Sequence, residues 1–189
     1  MTGPVLGLIA CAAGGIEDLR TELIEPMQRD GWTVAVTVTP TAATWLRASG
    51  EFDRIEDTTG QPVRDRGRLP SEASPHPQVD CYAVVPATAN TVAKLALGIA
   101  DNHALTGVSE AIGNRAPPIV VFPRINAAHA AHPAWHGYMN TLGSVGVRLV
   151  VGDDVWPLHA PRSMPGRQLP WSKIRNAIDE ETRRVRDSW

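Results

Sequence analysis

Five continuous apolar runs of strand length restrict this chain more than any other feature: Val5 to Ala10, Thr33 to Val38, Cys81 to Val85, Ile119 to Phe122 and Val147 to Val151. They are rich in β-branched residues and lack the polar alternation of a strand with one wet face. Each is therefore expected to be covered on both faces, as in a parallel sheet held between helical layers. Between the runs the period changes. Ile16, Leu19, Leu23 and Met27 form a helical stripe that Gly31 closes, with Pro26 expected to bend its last turn. Val92, Leu95, Ala96 and Ile99 form a second stripe, and Trp135, Tyr138, Met139 and Leu142 a third. Strands alternating with helices through right-handed crossovers specify an α/β fold, a three-layer, doubly wound parallel sheet of the Rossmann-like or flavodoxin-like kind. Its ligand crevice is expected beyond the carboxyl ends of the strands.

At 189 residues the whole chain, 1–189, suits one domain with its core in 5–151. Two stretches break the rhythm. Gly50 to Pro77 is rich in charge, Gly and Pro, and Trp156 to Pro170 carries four prolines. Both predict long loops, the second (156–171) a clamp or a subunit contact. In the tail, 172–189, Ile174, Ala177, Ile178 and Val185 keep helical spacing, so a helix docked on the sheet or on a neighbouring subunit is expected. A net charge of −2 leaves no basic excess to hold nucleic acid or an anionic membrane. No apolar run approaches the ~18 residues of a membrane span. The N-terminus lacks the positive region of a secretory signal. Cys11 and Cys81 sit in or beside apolar runs rather than in a disulfide or metal framework, which together predicts a cytoplasmic protein without a metal.

Two loops carry candidate chemistry. The first strand ends in ACAAGG, residues 10–15, whose small side chains let backbone amides approach an anion. The dinucleotide spacing G-x-G-x-x-G is absent, so this loop alone is equally a tight turn without a ligand. The third strand runs into PATANT, Pro86, Ala87, Thr88, Ala89, Asn90 and Thr91. Small Ala87 and Ala89 allow a flat ring to pack on backbone, and Thr88, Asn90 and Thr91 offer polar side chains. A helix cap at Asn90 or Thr91 accounts for one residue of the six, not the run.

This segment resembles the FMN-wrapping P-A-[ST]-A-N-T loop of the homo-oligomeric flavin-containing cysteine decarboxylases, which include phosphopantothenoylcysteine decarboxylases and the peptidyl-cysteine decarboxylases of lanthipeptide pathways. The resemblance extends over roughly 5–151. VAVTVTPTAATWL, residues 34–46, resembles the second strand and phosphate loop, which assigns Thr39 to the flavin phosphate and Trp45 to its vicinity; Trp45 alone is equally a core aromatic. FPRINAAHAAHPAW falls where the family has P-x-M-N-x-x-M-W, so Asn126 inherits the grip on the substrate carboxylate. Here the Met-Trp pair becomes His129 and Ala130, with His129 in the substrate wall, and Ile125 replaces the Met before Asn126. Ala10 and Cys11 stand where the family has Gly-Ser, leaving phosphate contacts there to backbone amides.

The catalytic histidine of the family maps by position to His76, between Pro75 and Pro77; the alternative is a loop histidine without duty, and His103 and His129 are competing bases. No cysteine follows Cys81, so the reductive clamp of some relatives is missing and an oxidised enethiol product is implied. The resemblance thus implies FMN, a small-molecule or peptide substrate with a cysteine-type carboxylate, and oxidative decarboxylation. It also implies a homo-oligomer, a trimer or a dodecamer of trimers, with FMN at the subunit interface. Competing readings are an FMN-binding accessory or regulatory protein, a flavoenzyme of the same fold acting on an unrelated substrate without cysteine decarboxylase activity, and a flavin-free nucleotide-binding module.

Overall fold

The computed structural model describes residues 3–69 and 71–187. Its five strands, β1 (Val5–Ala10), β2 (Thr33–Val38), β3 (Cys81–Ala87), β4 (Ile119–Pro123) and β5 (Arg148–Leu149), form one sheet in the order β2-β1-β3-β4-β5. Every neighbouring pair is parallel. The chain steps outward from β1 to β2, then returns to β1's other side and proceeds through β3 to β5. The order therefore reverses between β1 and β3, the switch point at which such sheets open a ligand crevice.

The absence of polar alternation in the strands has a direct cause. Leu6, Leu8 and Ala10 of β1 point into one core with Val34, Val36 and Val38 of β2, while Ile9 and Cys11 point into the other with Val84 and Val121. The first core is covered by α2 (Pro40–Ser49), α3 (Glu51–Thr59) and α8 (Trp171–Arg186), together with the helical stretch after β1. The second is covered by α4 (Ala89–Leu97), α5 (His103–Asn114) and α7 (Trp135–Ser144). Ile174 and Ile178 of α8 are fully buried, so the tail docks on the sheet of its own chain. Its predicted last residues, Ser188 and Trp189, lie outside the described residues.

Several expectations need correction. The stripe after β1 is not one α-helix: a 3₁₀ turn (Ile16–Asp18) passes into a π-helical turn (Arg20–Ile24) and then α1 (Glu25–Arg29). Pro26 stands in the first turn of α1, where a missing N–H costs little, and the widened turn before it takes up the change. The stretch from Gly50 is not all loop. Phe52 and Ile55 bury one face of α3, and Gly50 and Gly60 close its ends with φ of 72° and 64°. Two apolar residues among charges gave too short a stripe to detect. Ile99 lies beyond the end of α4 at Leu97, because Gly98 turns left-handed with φ 70°. Helix α5 has no counterpart among the expected stripes, and β5 spans two residues rather than five. Among the described residues no helix is long and apolar enough to cross a membrane.

Candidate functional site

Three loops distant in sequence meet at the carboxyl ends of β1, β2 and β3. Thr39 follows β2 and caps α2, its hydroxyl accepting the Ala42 N–H. Thr88 does the same after β3, accepting the Thr91 N–H at 3.2 Å and opening α4. These caps and the β1 loop surround a cleft of about 460 Å³ lined by Cys11, Thr39, Thr41, Thr88, Asn90 and Thr91. The N-termini of two helices thus converge on one space, and their dipoles and unspent amides favour an anion there. The Thr88 hydroxyl also donates to Thr91 Oγ1 at 3.1 Å, which lies 3.2 Å from Cys11 Sγ. Burial pushes the Cys11 thiol up, against the opposing hydrogen bonds from Thr91 and Thr88, so it stays a protonated wall rather than a nucleophile. At the cleft's rim Lys94 pairs with Asp101 at 2.6 Å, and that bond lowers the Asp101 carboxyl.

The sequence-predicted cofactor residues divide by what they present. Thr39, Thr88, Asn90, Thr91 and Cys11 line the cleft. Ala10, Pro86 and Ala87 are buried in the strands and act through backbone: the Ala10 carbonyl accepts the Thr39 N–H, and the Pro86 carbonyl accepts that of Cys11. Because the Cys11 amide is spent in this way, the Ala13 amide bonds the Cys11 carbonyl and the Gly15 amide bonds Glu17, the β1 loop supplies fewer donors than its composition promised. The helix N-termini take that role instead. Ala89 opens α4, half-buried, and Trp45 is 48% exposed, which removes the core-aromatic alternative. A cleft of this volume with small walls, hydroxyls and two helix N-termini fits a phosphorylated planar cofactor.

His76 and Asn126 occupy different cavities. His76 lies in one of about 290 Å³ with His103, Arg64, Arg68, Tyr82 and Glu110, its Nε2 2.7 Å from the Pro62 carbonyl. Ile9 and Thr37 line this cavity, whereas Cys11 and Thr39, two residues further along the same strands, line the cleft, so the two spaces are neighbours. Burial lowers the pKa of both histidines; Arg64 lowers each further, while the Pro62 bond opposes for His76. Both shifts favour the unprotonated imidazole. Asn126 caps α6 (Ala127–Ala130), its Oδ1 accepting the His129 N–H at 3.0 Å, which orients its Nδ2 donors away from the helix. It lines a third cavity of about 180 Å³ with Arg124, Trp156, His159, Arg162 and Arg167. His129 is exposed, and its side chain does not line that cavity.

Sequence reasoning missed the arginines and Trp156. Arg124 stood next to the recognised Ile125-Asn126 pair and could have been singled out as a charge following a buried strand. Arg167 lies in an aperiodic segment that carries no positional signal. That segment is tied down at both ends: the Trp156 indole donates to the Ile125 carbonyl, the Ala127 N–H bonds the His159 carbonyl, and Leu169 is buried.

Comparison with known proteins agrees with this architecture. The solved FMN-dependent cysteine decarboxylase SpaF superposes with a TM-score of 0.68 at 23% identity, over 95% of this chain and 98% of its own. MrsD from Bacillus sp. matches with 0.68 at 18% identity over 96% and 97%, and the peptidyl-cysteine decarboxylase EpiD with 0.67 at 18% over 93% and 98%. A cysteine/cysteine sulfinic acid decarboxylase from an unknown prokaryotic organism is 37% identical over 71 residues, 38% of this chain. The chain spans only 19% of that curated relative. The Flavoprotein family matches residues 6–183, nearly the full length, and the chain belongs to that family.

Proposed function

We propose that this protein is an FMN-dependent oxidative decarboxylase of a cysteine-type carboxylate, at a peptide C-terminus or in a cysteine conjugate. The observation that carries the reading is the convergence of the Thr39 and Thr88 helix caps on one cleft at the β1/β3 reversal, with Asn90 and Thr91 in its wall. Bound there, FMN would supply two-electron oxidation of the substrate's thiol-bearing carbon, and the thioaldehyde so formed would take up the electron pair released as carbon dioxide leaves. The chain's own groups do the rest. The α2 and α4 N-termini hold the phosphate, with the Thr39 hydroxyl beside it. Asn126, oriented by its cap, donates from Nδ2 to the substrate carboxylate and fixes the bond that breaks. His76, whose pKa burial and then Arg64 lower, favouring the unprotonated imidazole, accepts the thiol proton as general base. Because His76 and Asn126 lie in separate cavities of one chain, a homo-oligomer completes the site across a subunit interface, trimeric in the simplest case.

The separation of those two residues equally favours a second reading, an FMN-binding accessory protein without turnover. One experiment decides. The purified protein should be yellow and convert a C-terminal cysteine peptide with loss of carbon dioxide and two hydrogens. Asn126→Asp should abolish turnover with flavin still bound. Mixed with His76→Asn, itself inactive, it should regain activity by pairing intact halves. A yellow protein that leaves every cysteine carboxylate unchanged establishes the accessory reading, and a colourless one that refuses FMN removes both.

A further inference from the structure

The cavity beside Asn126 gathers Arg124, Arg162 and Arg167, and no acidic side chain lines it. The arginine ion pairs of the described residues lie elsewhere, at Arg20, Arg47, Arg54 and Arg184. Two of the three guanidiniums share one indole: the central carbon of Arg167 lies 3.4 Å from the Trp156 ring centroid and that of Arg124 4.9 Å. Each contact is favourable alone, but two like charges on one ring repel. Burial lowers the pKa of both, the charge of Arg167 lowers Arg124 further, and only Glu17 opposes; the Glu17 carboxylate already accepts the Gly15 amide. Arg124 Nε is buried without an acceptor, an uncompensated charged donor of the kind that folded proteins rarely leave. Its Nη2 rests over Gly14, where a Cβ would come within 3.4 Å, so the side chain bridges the β1 loop and the Asn126 turn. Arg167 spends one donor on the Pro157 carbonyl and keeps the rest. Planar donors left unpaired around a small space match an oxyanion better than any neutral group.

We propose that this cavity is a subsite for a second acidic group of the substrate, a carboxylate or a phosphate, carried within one side chain's reach of the carboxylate that leaves. The inference rests on the decarboxylase reading for its substrate but not for its binding measurement. Glutarate, inorganic phosphate and butyrate, titrated calorimetrically at low salt into the protein as purified, with whatever flavin it carries, separate the cases. Glutarate should bind about tenfold more tightly than butyrate, and Arg167→Gln or Arg124→Gln should weaken it about tenfold, the order expected for one charge-assisted contact. Arg167→Lys, which keeps the charge and loses the fork, should fall between. If phosphate outcompetes glutarate, the acidic group is a phosphate ester; the reverse order assigns a carboxylate. In turnover, where the acid is a carboxylate, a peptide ending Glu-Cys should show a lower KM than one ending Gln-Cys, and Arg167→Gln should erase the difference. Equal affinity for glutarate and butyrate, or glutarate binding unchanged in both glutamine variants, overturns the proposal. Should Arg124→Gln fail to fold, Arg167→Gln, on an irregular segment, decides alone. A protein that binds no flavin sinks the decarboxylase reading, while the glutarate titration still returns its own answer.

Discussion

Replacing Thr88 by Ala tests whether the turn after β3 is held by one hydroxyl. That hydroxyl accepts the Thr91 N–H and donates to Thr91 Oγ1, which in turn meets Cys11 Sγ. Loss of an N-cap costs about 0.5–2 kcal/mol. Thr91 is 3% exposed, so its amide gains little water in exchange, which places the cost in the upper part of that range, about 1–2 kcal/mol. For a domain of this length that is a fall in Tm of roughly 2–8 °C, read by a thermal melt of the apoprotein. The first turn of α4 then frays, and its amides leave the cleft. FMN affinity, from flavin fluorescence quenching, should weaken about tenfold, the equivalent of ~1.4 kcal/mol. Thr88→Ser keeps both hydrogen bonds and should restore most of each loss. A Thr88→Ala protein that melts with the parent refutes the cap. A serine variant as weak as the alanine one shows that the methyl group, not the hydroxyl, holds the turn. Lost stability with unchanged FMN affinity would separate α4 from the cleft and remove the basis for placing a cofactor there.

Gly15→Ala should loosen the segment over the β1 loop: φ is 98°, and a Cβ would meet Leu169 Cγ at 2.6 Å. The backbone alone costs about 1–2 kcal/mol, and limited proteolysis should cut within 157–168 faster than in the parent; equal cleavage would show that Leu169 does not anchor the segment. Phe122→Ala should cost about 3–5 kcal/mol in urea unfolding, because Phe122 is fully buried edge-on to Trp156 with ring centroids 5.8 Å apart. A loss below ~1 kcal/mol would mean the core refills the space. His76 has a folded pKa below its ordinary 6.5, so its stabilising contribution is present above that value and lost as pH falls through the lower one. His76→Asn should therefore flatten the acid limb of the stability profile, and an unchanged limb would assign that limb to other groups, His103 first.

The sheet was legible because burial on both faces leaves a plain mark: a strand between two helical layers cannot alternate, and four of the five runs match their strands closely. Val147 to Val151 shrank to Arg148–Leu149 because an edge strand pairs on one side only, and apolar content does not say how far pairing continues. Elements with sparse apolar faces escaped. Helix α3 buries Phe52 and Ile55 amid charges, and α5 alternates buried Ala104, Leu105, Val108 and Ala111 with small residues that read as neither stripe nor loop. At the site, the PATANT turn stood out because a run of six particular residues in order is a strong mark, and the structure puts Thr88, Asn90 and Thr91 of that run in the cleft wall. His76, Asn126 and Arg124 are single residues whose meaning depends on what faces them, and that information lies in the fold.

The arrangement of the apolar surface bears on how the site is completed. Trp45, Leu97 and Ile99 are large side chains exposed by 48%, 60% and 43%, borne by α2, by the last residue of α4 and by the turn just after it, α2 and α4 being the two helices whose N-termini face the cleft. A single chain therefore leaves large apolar side chains exposed on and beside the helices that build the cleft. Covering such surface is worth about 25 cal/mol for each Å² removed from water. Desolvating the cleft would also strengthen every dipole aimed into it, since the helix N-termini act through a lower dielectric once water is excluded. The same contact would thus stabilise an assembly and sharpen the anion site within it, which is why oligomerisation and cofactor binding should rise and fall together in this protein. A variant such as Leu97→Glu that stays folded but monomeric should lose flavin affinity without touching any residue that lines the cleft; a monomer that holds FMN as tightly as the parent would confine the cofactor site to one chain.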